Sequence, residues 1–456
     1  MTAPMKDVIV LLPGIMGSAL AKDGKVIWDV SVGAMGRALF SLGGSVQDLA
    51  VSSDARTNDR VTPTHLLSNV HMVPYLWKID GYSGLVEFIR SKFEVVTGEN
   101  FFEFPYDWRL DNRISAQRLF SVTKEWLEKS RNRYPEARLI LIAHSMGGLV
   151  ARYFLESLGG WRDTKMLITL GTPHRGSVKA LDFLVNGLRK KLGPVTLVDL
   201  TKFIRSCPSV YQLLPIYPCV GETEEDLEHI NEMEEIGELD MDCARAGIEF
   251  HREIERAVEA NSKNAVYQSS RYKLLPMVGT YQPTFLSALL TPDGIKPIET
   301  YKGQTILGGD GTVPRLSATP IELSKAKVET FVACPHAGLQ NFDPVRVQVR
   351  SALGDVDISE IKDSGVEAIS LKMADGFSSG EPFQALARCG AAIDPLQAVL
   401  VNVETGAEVE CEFEMIPDTE GWQKLELSPL AAGTYRIRID AGDEAEPITD
   451  VFAVLD

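Results

Sequence analysis

A serine flanked by small residues stands between an apolar run and a helical pattern in this chain. The stretch covers residues 143–148 and reads AHSMGG. A sharp turn from strand to helix needs small residues two positions before and two after such a serine, because larger side chains would collide with the backbone and cover the hydroxyl. Ala143 and Gly147 meet this need, although glycine is more usual at the first position. The stretch predicts a nucleophile elbow with Ser145 at its tip; the alternative is that Ser145 only caps the following helix.

Short apolar runs recur along the first 350 residues, and most end close to a glycine or a proline, which is typical of buried strands in a parallel sheet. Helical patterns lie between them, such as 114–134, and a closing helix is expected at 343–353. Strands that alternate with helices predict an α/β fold with a doubly wound, mostly parallel sheet. The runs cover residues 6–12, 101–104, 139–142, 166–170, 274–278 and 328–333.

From about residue 366 the chain alternates apolar and polar residues at period two. Seven such segments predict an immunoglobulin-like β-sandwich at 366–456, after an α/β domain at 1–355. Residues 430–435 resemble the tyrosine-corner region of immunoglobulin-like domains. No catalytic constellation is evident in this part, so we interpret it as an accessory module with an unknown protein partner. The segments are 368–373, 383–388, 398–403, 409–415, 422–427, 434–439 and 449–455.

The composition excludes several function classes. The formal net charge is −17, and nucleic acid is bound through clustered Lys and Arg, so we expect no nucleic-acid partner. The six cysteines have no C-x-x-C spacing, and we expect neither a metal nor an organic cofactor. The first strand begins at once, which leaves no room for a signal peptide and predicts a cytoplasmic protein. Because no apolar run approaches about 18 residues, membrane contact would have to be peripheral.

A serine hydroxyl is a weak nucleophile until an imidazole takes its proton, and that imidazole needs a carboxylate to orient it. In doubly wound hydrolases these residues follow the chain order Ser, then Asp or Glu, then His. His336 follows the last predicted strand and is the predicted base. The acid is predicted at Asp310, between two glycines that allow a sharp turn; Asp107 and Asp163 are rivals outside the required order or loop. The other histidines adjoin the serine, precede the acid or lie in an insertion: His65, His71, His144, His174, His229 and His251.

A tetrahedral intermediate also needs hydrogen-bond donors for its oxyanion. In this fold one donor is the N–H of the residue after the nucleophile, here Met146, and the other comes from the loop after an early strand. The loop at 13–18 contains two glycines that allow an N–H to face the cleft. We assign Ile15 as the second donor.

Six motifs in this order resemble the lecithin:cholesterol acyltransferase and lysosomal phospholipase A2 family of α/β-hydrolases, over residues 5–350. The resemblance implies that Ser145, Asp310 and His336 are the triad and that Ile15 and Met146 are the oxyanion donors. The alanine before His144 is a trait of this family. The motifs are PG-x-x-GS at 13–18, YDWR at 106–109, AHSMGG at 143–148, GTP at 171–173, GDGTV at 309–313 and His336.

Two segments do not fit the strand–helix alternation, and we interpret residues 28–77 and 194–263 as helical cap insertions. Secreted relatives in the family carry a disulfide-closed membrane-binding segment in the first, where this chain has no cysteine. The second carries an acidic run at 222–240, which we interpret as a solvated face. We expect its apolar stripe to pack against the body, and hypothesise that it lines or covers an acyl-binding cleft. The stripe comprises Leu197, Leu200, Phe203, Ile204, Val210, Leu213, Leu214 and Ile216.

These features predict a serine-dependent carboxylic ester hydrolase that acts on lipid or phospholipid esters through an acyl-enzyme intermediate. One alternative is an acyltransferase, because an alcohol can capture the same intermediate in place of water. Another is a non-catalytic binding or effector protein on a hydrolase scaffold, with the sandwich as its working part. A complete triad argues against the hypothesis of a non-catalytic protein, since binding alone needs none of the three triad residues.

Overall fold

Six parallel strands form the central sheet of the described part of the chain. Their order is β6-β5-β4-β3-β1-β2, and every neighbouring pair is parallel. Each predicted apolar run overlaps one of these strands, and the predicted doubly wound fold is confirmed. The strands are β1 (Val8–Leu12), β2 (Phe101–Glu103), β3 (Leu139–His144), β4 (Thr164–Leu170), β5 (Lys273–Gly279) and β6 (Thr330–Val332). The computed structural model describes residues 2–29, 49–51, 60–68, 71–73, 77–192, 195–304, 308–326, 329–354, 368–390, 394–417, 419, 421–442 and 445–455.

Helices cover both faces of this sheet, which is why its strands are mostly apolar rather than alternating. In β1, Val8 and Val10 belong to one core cluster together with Leu119 of α2. Ile9 and Leu11 belong to a second cluster, which includes residues of α1 and α9. The helices are α1 (Ser83–Lys92), α2 (Asn112–Arg131), α3 (Met146–Glu156), α4 (Val178–Val185), α5 (Thr201–Ser206), α6 (Pro208–Tyr211), α7 (Met241–Ser262), α8 (Ala265–Ser270) and α9 (Asp343–Leu353).

Both helices named from the sequence are present. Helix α2 begins two residues before the predicted start at 114, because Asp111 caps it by accepting the N–H of Arg113 at 2.8 Å. Helix α9 has the predicted bounds. Among the described residues, no helix is both long and apolar enough to cross a bilayer.

Short strands and 3₁₀ turns lie outside the central sheet. Most of the predicted cap at 28–77 lies outside the described residues. The 3₁₀ turns are Gly160–Asp163, Ile230–Glu232, Arg315–Ser317, Ile321–Leu323 and His336–Asn341. Of the small sheets that the structure describes, three have two strands each: Ala3–Pro4 with Phe93–Glu94, His71–Val73 with Trp77–Ile79, and Arg189–Leu192 with Val195–Asp199. Two have three strands. In one, Ser18–Lys22 lies between Lys25–Trp28 and Val61–Leu66, and in the other, Ser287–Thr291 lies between Val220–Gly221 and Gly294–Ile298.

The second insertion is less helical than the sequence pattern predicts. Val195–Asp199 is a strand, so Leu197 does not continue the helical face of Phe203 and Ile204, which lie on α5. Three residues of this strand are β-branched, and such residues favour extended backbone over helix. The acidic run at 222–240 consists mainly of exposed residues, in agreement with a solvated face.

Two packed sheets form the C-terminal part. One has the order β7-β9-β13-β12 and the other β8-β15-β14-β10-β11, with a single hydrophobic core between them. This architecture is the predicted β-sandwich. Its strands are β7 (Ile369–Met373), β8 (Gly376–Ser378), β9 (Phe383–Cys389), β10 (Gln397–Asn402), β11 (Glu408–Glu412), β12 (Glu414–Met415), β13 (Gln423–Leu427), β14 (Gly433–Asp440) and β15 (Ile448–Leu455).

Two details of the sandwich bear on the sequence predictions. The predicted strand at 409–415 divides at Phe413, which is buried in the core while β11 pairs in one sheet and β12 in the other. Tyr435 Oη donates to the carbonyl of Ala431 at 2.9 Å, which is the hydrogen bond that defines a tyrosine corner. The boundaries at 355 and 366 stay predictions, because residues 355–367 lie outside the described ones.

Partly buried ion pairs hold the sandwich against the α/β domain. Lys78 Nζ lies 2.8 Å from Asp375 Oδ1 and 2.5 Å from Asp450 Oδ2. Burial alone would lower the pKa of Lys78, but the two carboxylates outweigh it and raise that pKa above its ordinary value. A second pair joins Arg436 of the sandwich to Asp80. Removing one member of such a group leaves an uncompensated buried charge, so the contact constrains how the two domains dock.

Replacing Lys78 with methionine (Lys78→Met) is expected to lower the free energy of unfolding by about 3–5 kcal/mol, because two partly buried carboxylates lose their cation. Urea unfolding followed by tryptophan fluorescence measures this loss. The matched control is Lys424→Met, since Lys424 pairs with Glu426 at an exposed position of the same sandwich. That substitution is expected to cost less than about 1 kcal/mol. Equal losses for the two variants would contradict a docking role for Lys78.

Candidate active site

Ser145 lies at the turn between β3 and α3, with φ of 52° and ψ of −126°. A positive φ is strained for a residue with a side chain, and such strain is typical of functional turns. Neighbouring glycines provide the room: a Cβ on Gly147 would collide with the carbonyl of Pro13, and one on Gly148 with the side chain of Thr172. The N–H of Ser145 donates to the last carbonyl of β4 at 2.8 Å. The turn therefore has the geometry that the sequence predicts for an elbow.

The structure brings the three predicted triad side chains together. His336 Nε2 lies 2.9 Å from Ser145 Oγ, and His336 Nδ1 lies 2.6 Å from Asp310 Oδ2. The other carboxylate oxygen of Asp310 accepts the N–H groups of Thr312 at 2.9 Å and Val313 at 2.7 Å. Because Asp310 takes the Nδ1–H, the neutral ring leaves Nε2 free of hydrogen and able to accept the serine proton. The catalytic roles of these residues stay predictions.

Two glycines make room for the imidazole–carboxylate pair. Gly171 has φ of 58°, and a Cβ there would lie 2.8 Å from Asp310 Oδ2 and 3.0 Å from His336 Nδ1. A Cβ on Gly279, at the end of β5, would collide with Asp310 Cβ. The GTP motif at 171–173 does not by itself show that its glycine makes room for the imidazole and the carboxylate. The available signal was its position directly after a buried strand.

The rival acids lie elsewhere. Asp107 forms a buried bidentate pair with Arg109, with Oδ2 at 2.7 Å from Nη2 and Oδ1 at 2.9 Å from Nε. Asp163 pairs with Arg131 near the surface at 2.8 Å. The partner of each of these carboxylates is an arginine and not a histidine. Within the described ranges, no group of three or more His, Cys, Asp or Glu side chains could hold a metal ion.

The two predicted oxyanion donors lie beside the serine. Met146 is the first residue of α3, and the first N–H groups of a helix have no acceptor within that helix. Ile15 lies in the loop after β1 and lines the same cavity as Ser145. The assignment of these N–H groups as donors stays a prediction.

Four aromatic side chains fix the loop that carries Ile15, and the YDWR motif supplies two of them. Their hydrogen bonds reach the backbone directly, so the loop is set before any ligand binds. A preorganised backbone is what stabilisation of a developing oxyanion requires. Tyr82 Oη accepts the N–H of Gly14 at 2.7 Å, Tyr106 Oη donates to Pro13 O at 2.9 Å, Trp28 Nε1 donates to Met16 O at 3.0 Å, and Trp108 Nε1 donates to Ser18 O at 3.1 Å.

His144 connects this loop to His336. Its Nδ1 lies 3.0 Å from Tyr82 Oη, and its Nε2 lies 3.2 Å from the backbone oxygen of His336. A carbonyl only accepts, so Nε2 carries the proton and Nδ1 accepts from Tyr82, whose oxygen accepts the N–H of Gly14. Burial lowers the pKa of His144 to about 3, which keeps the ring neutral. Sequence reasoning gave neither His144 nor Tyr82 a role, because the chain of contacts spans distant segments.

An apolar cavity of about 60 Å³ adjoins Ser145. Four residues of the predicted apolar stripe line it: Phe203, Ile204, Val210 and Leu213. Ligand sites usually enclose roughly 300–1,000 Å³, so this cavity is smaller than most ligand sites.

Residues 70–249 match the model of the family described as lecithin:cholesterol acyltransferase. Phosphatidylcholine-sterol acyltransferase of Gallus gallus is 38% identical over 86 residues, which are 18% of this chain and 20% of that protein. Lysosomal phospholipase A and acyltransferase of Homo sapiens is 30% identical over 121 residues, which are 26% of this chain and 29% of that protein. The resemblance to the lecithin:cholesterol acyltransferase family is confirmed. The chain spans less than a third of the length of these relatives.

The matched segment contains Ser145 but ends before Asp310 and His336. A solved structure extends the likeness in fold. The crystal structure of the Tle4-Tli4 complex has a TM-score of 0.50 and 14% identity, and the match covers 78% of this chain and 98% of that chain. At this level of identity the likeness concerns the fold alone.

Three buried histidines are expected to make the α/β domain sensitive to acid. Burial lowers the pKa of His144 to about 3, that of His251 to about 4, and that of His174 well below its ordinary value. Unfolding returns each group to about 6.5, so the unfolded chain binds more protons below that pH. Their contribution to stability is therefore complete above pH 6.5 and is lost as the pH falls toward 4.

His144→Gln is expected to reduce the slope of unfolding free energy against pH by about 1.4 kcal/mol per pH unit between pH 6 and 4. Glutamine removes the titrating ring but keeps an N–H donor for the carbonyl of His336. Urea unfolding at a series of pH values measures the slope. His65→Gln is the control, because the His65 side chain is exposed. An unchanged slope in the His144 variant would show that this ring does not couple to folding.

Proposed function

We propose that this chain is a serine-dependent carboxylic ester hydrolase that acts on lipid or phospholipid esters through an acyl-enzyme intermediate. The observation that carries the proposal is the continuous hydrogen-bond chain from Ser145 Oγ through His336 to Asp310, beside an apolar cavity. The names of the two curated relatives, an acyltransferase and a phospholipase A and acyltransferase, support a lipid ester as substrate.

The proposed reaction has two steps. In the first, Ser145 Oγ attacks the ester carbonyl carbon while His336 Nε2 takes the hydroxyl proton, and Asp310 stabilises the imidazolium. The N–H groups of Ile15 and Met146 stabilise the tetrahedral oxyanion. The carbon–oxygen bond to the alcohol then breaks, and His336 returns the proton to the departing oxygen. In the second step water repeats the sequence and releases the fatty acid.

Acyl transfer to an alcohol is the second candidate. The relatives that match the chain are named as acyltransferases, and the same acyl-enzyme reacts with any hydroxyl that reaches the carbonyl carbon. The triad chemistry is identical in both outcomes. What separates them is whether the site retains an alcohol near His336 long enough to compete with water.

We place the protein in a reducing compartment, in line with the cytoplasmic prediction. Cys207 and Cys219 are buried thiols rather than disulfides, as in proteins kept reduced. Contact with lipid would be peripheral. The protein partner of the sandwich stays unassigned.

Ser145→Ala is expected to abolish labelling by a fluorophosphonate probe and to lower ester hydrolysis by about 10⁴-fold or more, because no other group can form the acyl-enzyme. Asp310→Asn is expected to lower hydrolysis by about 10⁴-fold without unfolding the protein. Asp163→Asn is the control, since that carboxylate is on the surface and away from the site. Labelling that persists in the Ser145 variant would reject Ser145 as the nucleophile, whereas absence of labelling in the wild type would favour a non-catalytic binding protein.

Val210→Trp is expected to shorten the preferred acyl chain, because Val210 lines the apolar cavity beside Ser145 and a larger side chain there fills it. The measurement is kcat/KM for 4-nitrophenyl esters from acetate to decanoate. Short esters should keep their rates within about threefold, while esters of eight or more carbons lose about tenfold or more, in line with 1–3 kcal/mol for apolar fit. A parallel loss at every length would show that the cavity does not hold the acyl chain.

A further inference from the structure

A second cavity, of about 380 Å³, lies between the α/β domain and the sandwich. Asp310 and His336 line it from the α/β domain, and residues 371–375 of the sandwich line it from the opposite side. Unlike the cavity at Ser145, its lining includes several charged side chains. The family match ends at residue 249, so the sandwich wall has no counterpart in the matched segment.

A single buried glutamine fixes that wall to the loop of the triad acid. Gln282 Nε2 donates to Ile369 O at 3.0 Å, and its Oε1 accepts the N–H of Leu371 at 3.0 Å. Its backbone pairs with Gly309, the residue before Asp310, through hydrogen bonds of 3.0 and 3.2 Å. The first strand of the sandwich is thereby held in register with the acid loop. The sandwich therefore contacts the loop that carries Asp310 directly.

Lys179 and Thr312 line both cavities, so the two spaces meet beside the triad. Under the proposed function, His336 must give a proton to the alcohol oxygen as its bond to the acyl carbon breaks. The alcohol part of the ester must therefore lie on the side of His336. The acyl chain takes the apolar side, where Ser145 lines the cavity with Phe203 of α5.

We propose that the cavity between the domains is the subsite for the alcohol part of the ester, and that the sandwich forms half of it. This inference rests on the proposed function. The same space would receive an acyl-accepting alcohol in the second step, since departure and attack occur along the same path. The sandwich then determines which alcohols the enzyme releases or accepts.

The charges of the lining define the class of alcohol. The numbers of positive and negative side chains in the lining are nearly equal. Lys372 Nζ of the sandwich lies 3.9 Å from Glu299 Oε1 of the α/β domain. A lining with one carboxylate more than its lysines suits a neutral polyol or a zwitterionic headgroup and disfavours a net anion, and a sterol would meet charged walls. The charged residues are Lys78, Lys179 and Lys372 against Glu299, Asp310, Asp375 and Asp450.

Three octanoyl esters that differ only in their alcohol test the subsite: those of choline, glycerol and glycerol 3-phosphate, assayed as monomers at low salt. The wild type should favour the glycerol ester over the phosphate ester by about tenfold in kcat/KM. Glu299→Lys makes the lining more positive and should raise the ratio of kcat/KM for the phosphate ester to that for the glycerol ester by about fivefold. Lys372→Glu makes the lining more negative and should lower the same ratio by about fivefold. Lys424→Glu makes the same charge change elsewhere on the sandwich and should leave the ratio within twofold.

Fluorophosphonate labelling of every variant separates two kinds of failure. Retained labelling and octanoylglycerol hydrolysis, with ratios that do not move in opposite directions for the two cavity variants, would overturn the subsite and leave the proposed function intact. Absence of labelling and of turnover for all three esters in the wild type would overturn the proposed function, and the subsite with it. Opposite shifts at Glu299 and Lys372, with none at Lys424, would support the subsite.

Discussion

The parallel direction of the central strands is the constraint on which the rest of this structure depends. Ser145 follows β3, and the loops that carry Asp310 and His336 come after β5 and β6, so all three leave the sheet at its carboxyl edge. Residues 191 positions apart in sequence are thereby brought to 2.9 Å. Antiparallel strands would place alternate loops at opposite edges. The site is thus a consequence of strand direction first and of side-chain chemistry second.

Hydrogen bonds between the loops then fix the positions of these loops relative to one another. His144 lies at the end of β3, yet its ring joins the loop after β1 to the backbone of His336 through Tyr82. The ring can do this only while neutral, which burial ensures. Gln282 does the same on the other side, where its amide joins the acid loop to the sandwich. Both groups act through geometry, because neither shares a hydrogen bond with the hydroxyl of Ser145 among the contacts described.

The sequence was sufficient for the elements whose signal is local. Apolar runs located all six central strands, and period-two alternation located the sandwich. The proximity of Ser145, Asp310 and His336 was also predictable, because chain order and strand direction determine which loops can meet. Tyr82 and Gln282 were not predictable, since their importance comes from neighbours that are distant in sequence. The error at Leu197 had a different cause: a helical spacing of apolar residues competed with β-branched neighbours, and strand pairing prevailed.

Under the proposed function, the acyl chain and the alcohol part of the ester occupy two different cavities, and this separation bears on the choice between hydrolysis and acyl transfer. The triad does not distinguish a water oxygen from an alcohol oxygen, since either loses its proton to the same imidazole nitrogen. Discrimination must come from the space beside His336, and there the walls belong to two different domains. An alcohol that leaves slowly from that space stays available to attack again, which favours transfer, whereas an empty polar cavity admits water. Under the proposed function, the product distribution is therefore a property of the docked sandwich as much as of the α/β domain.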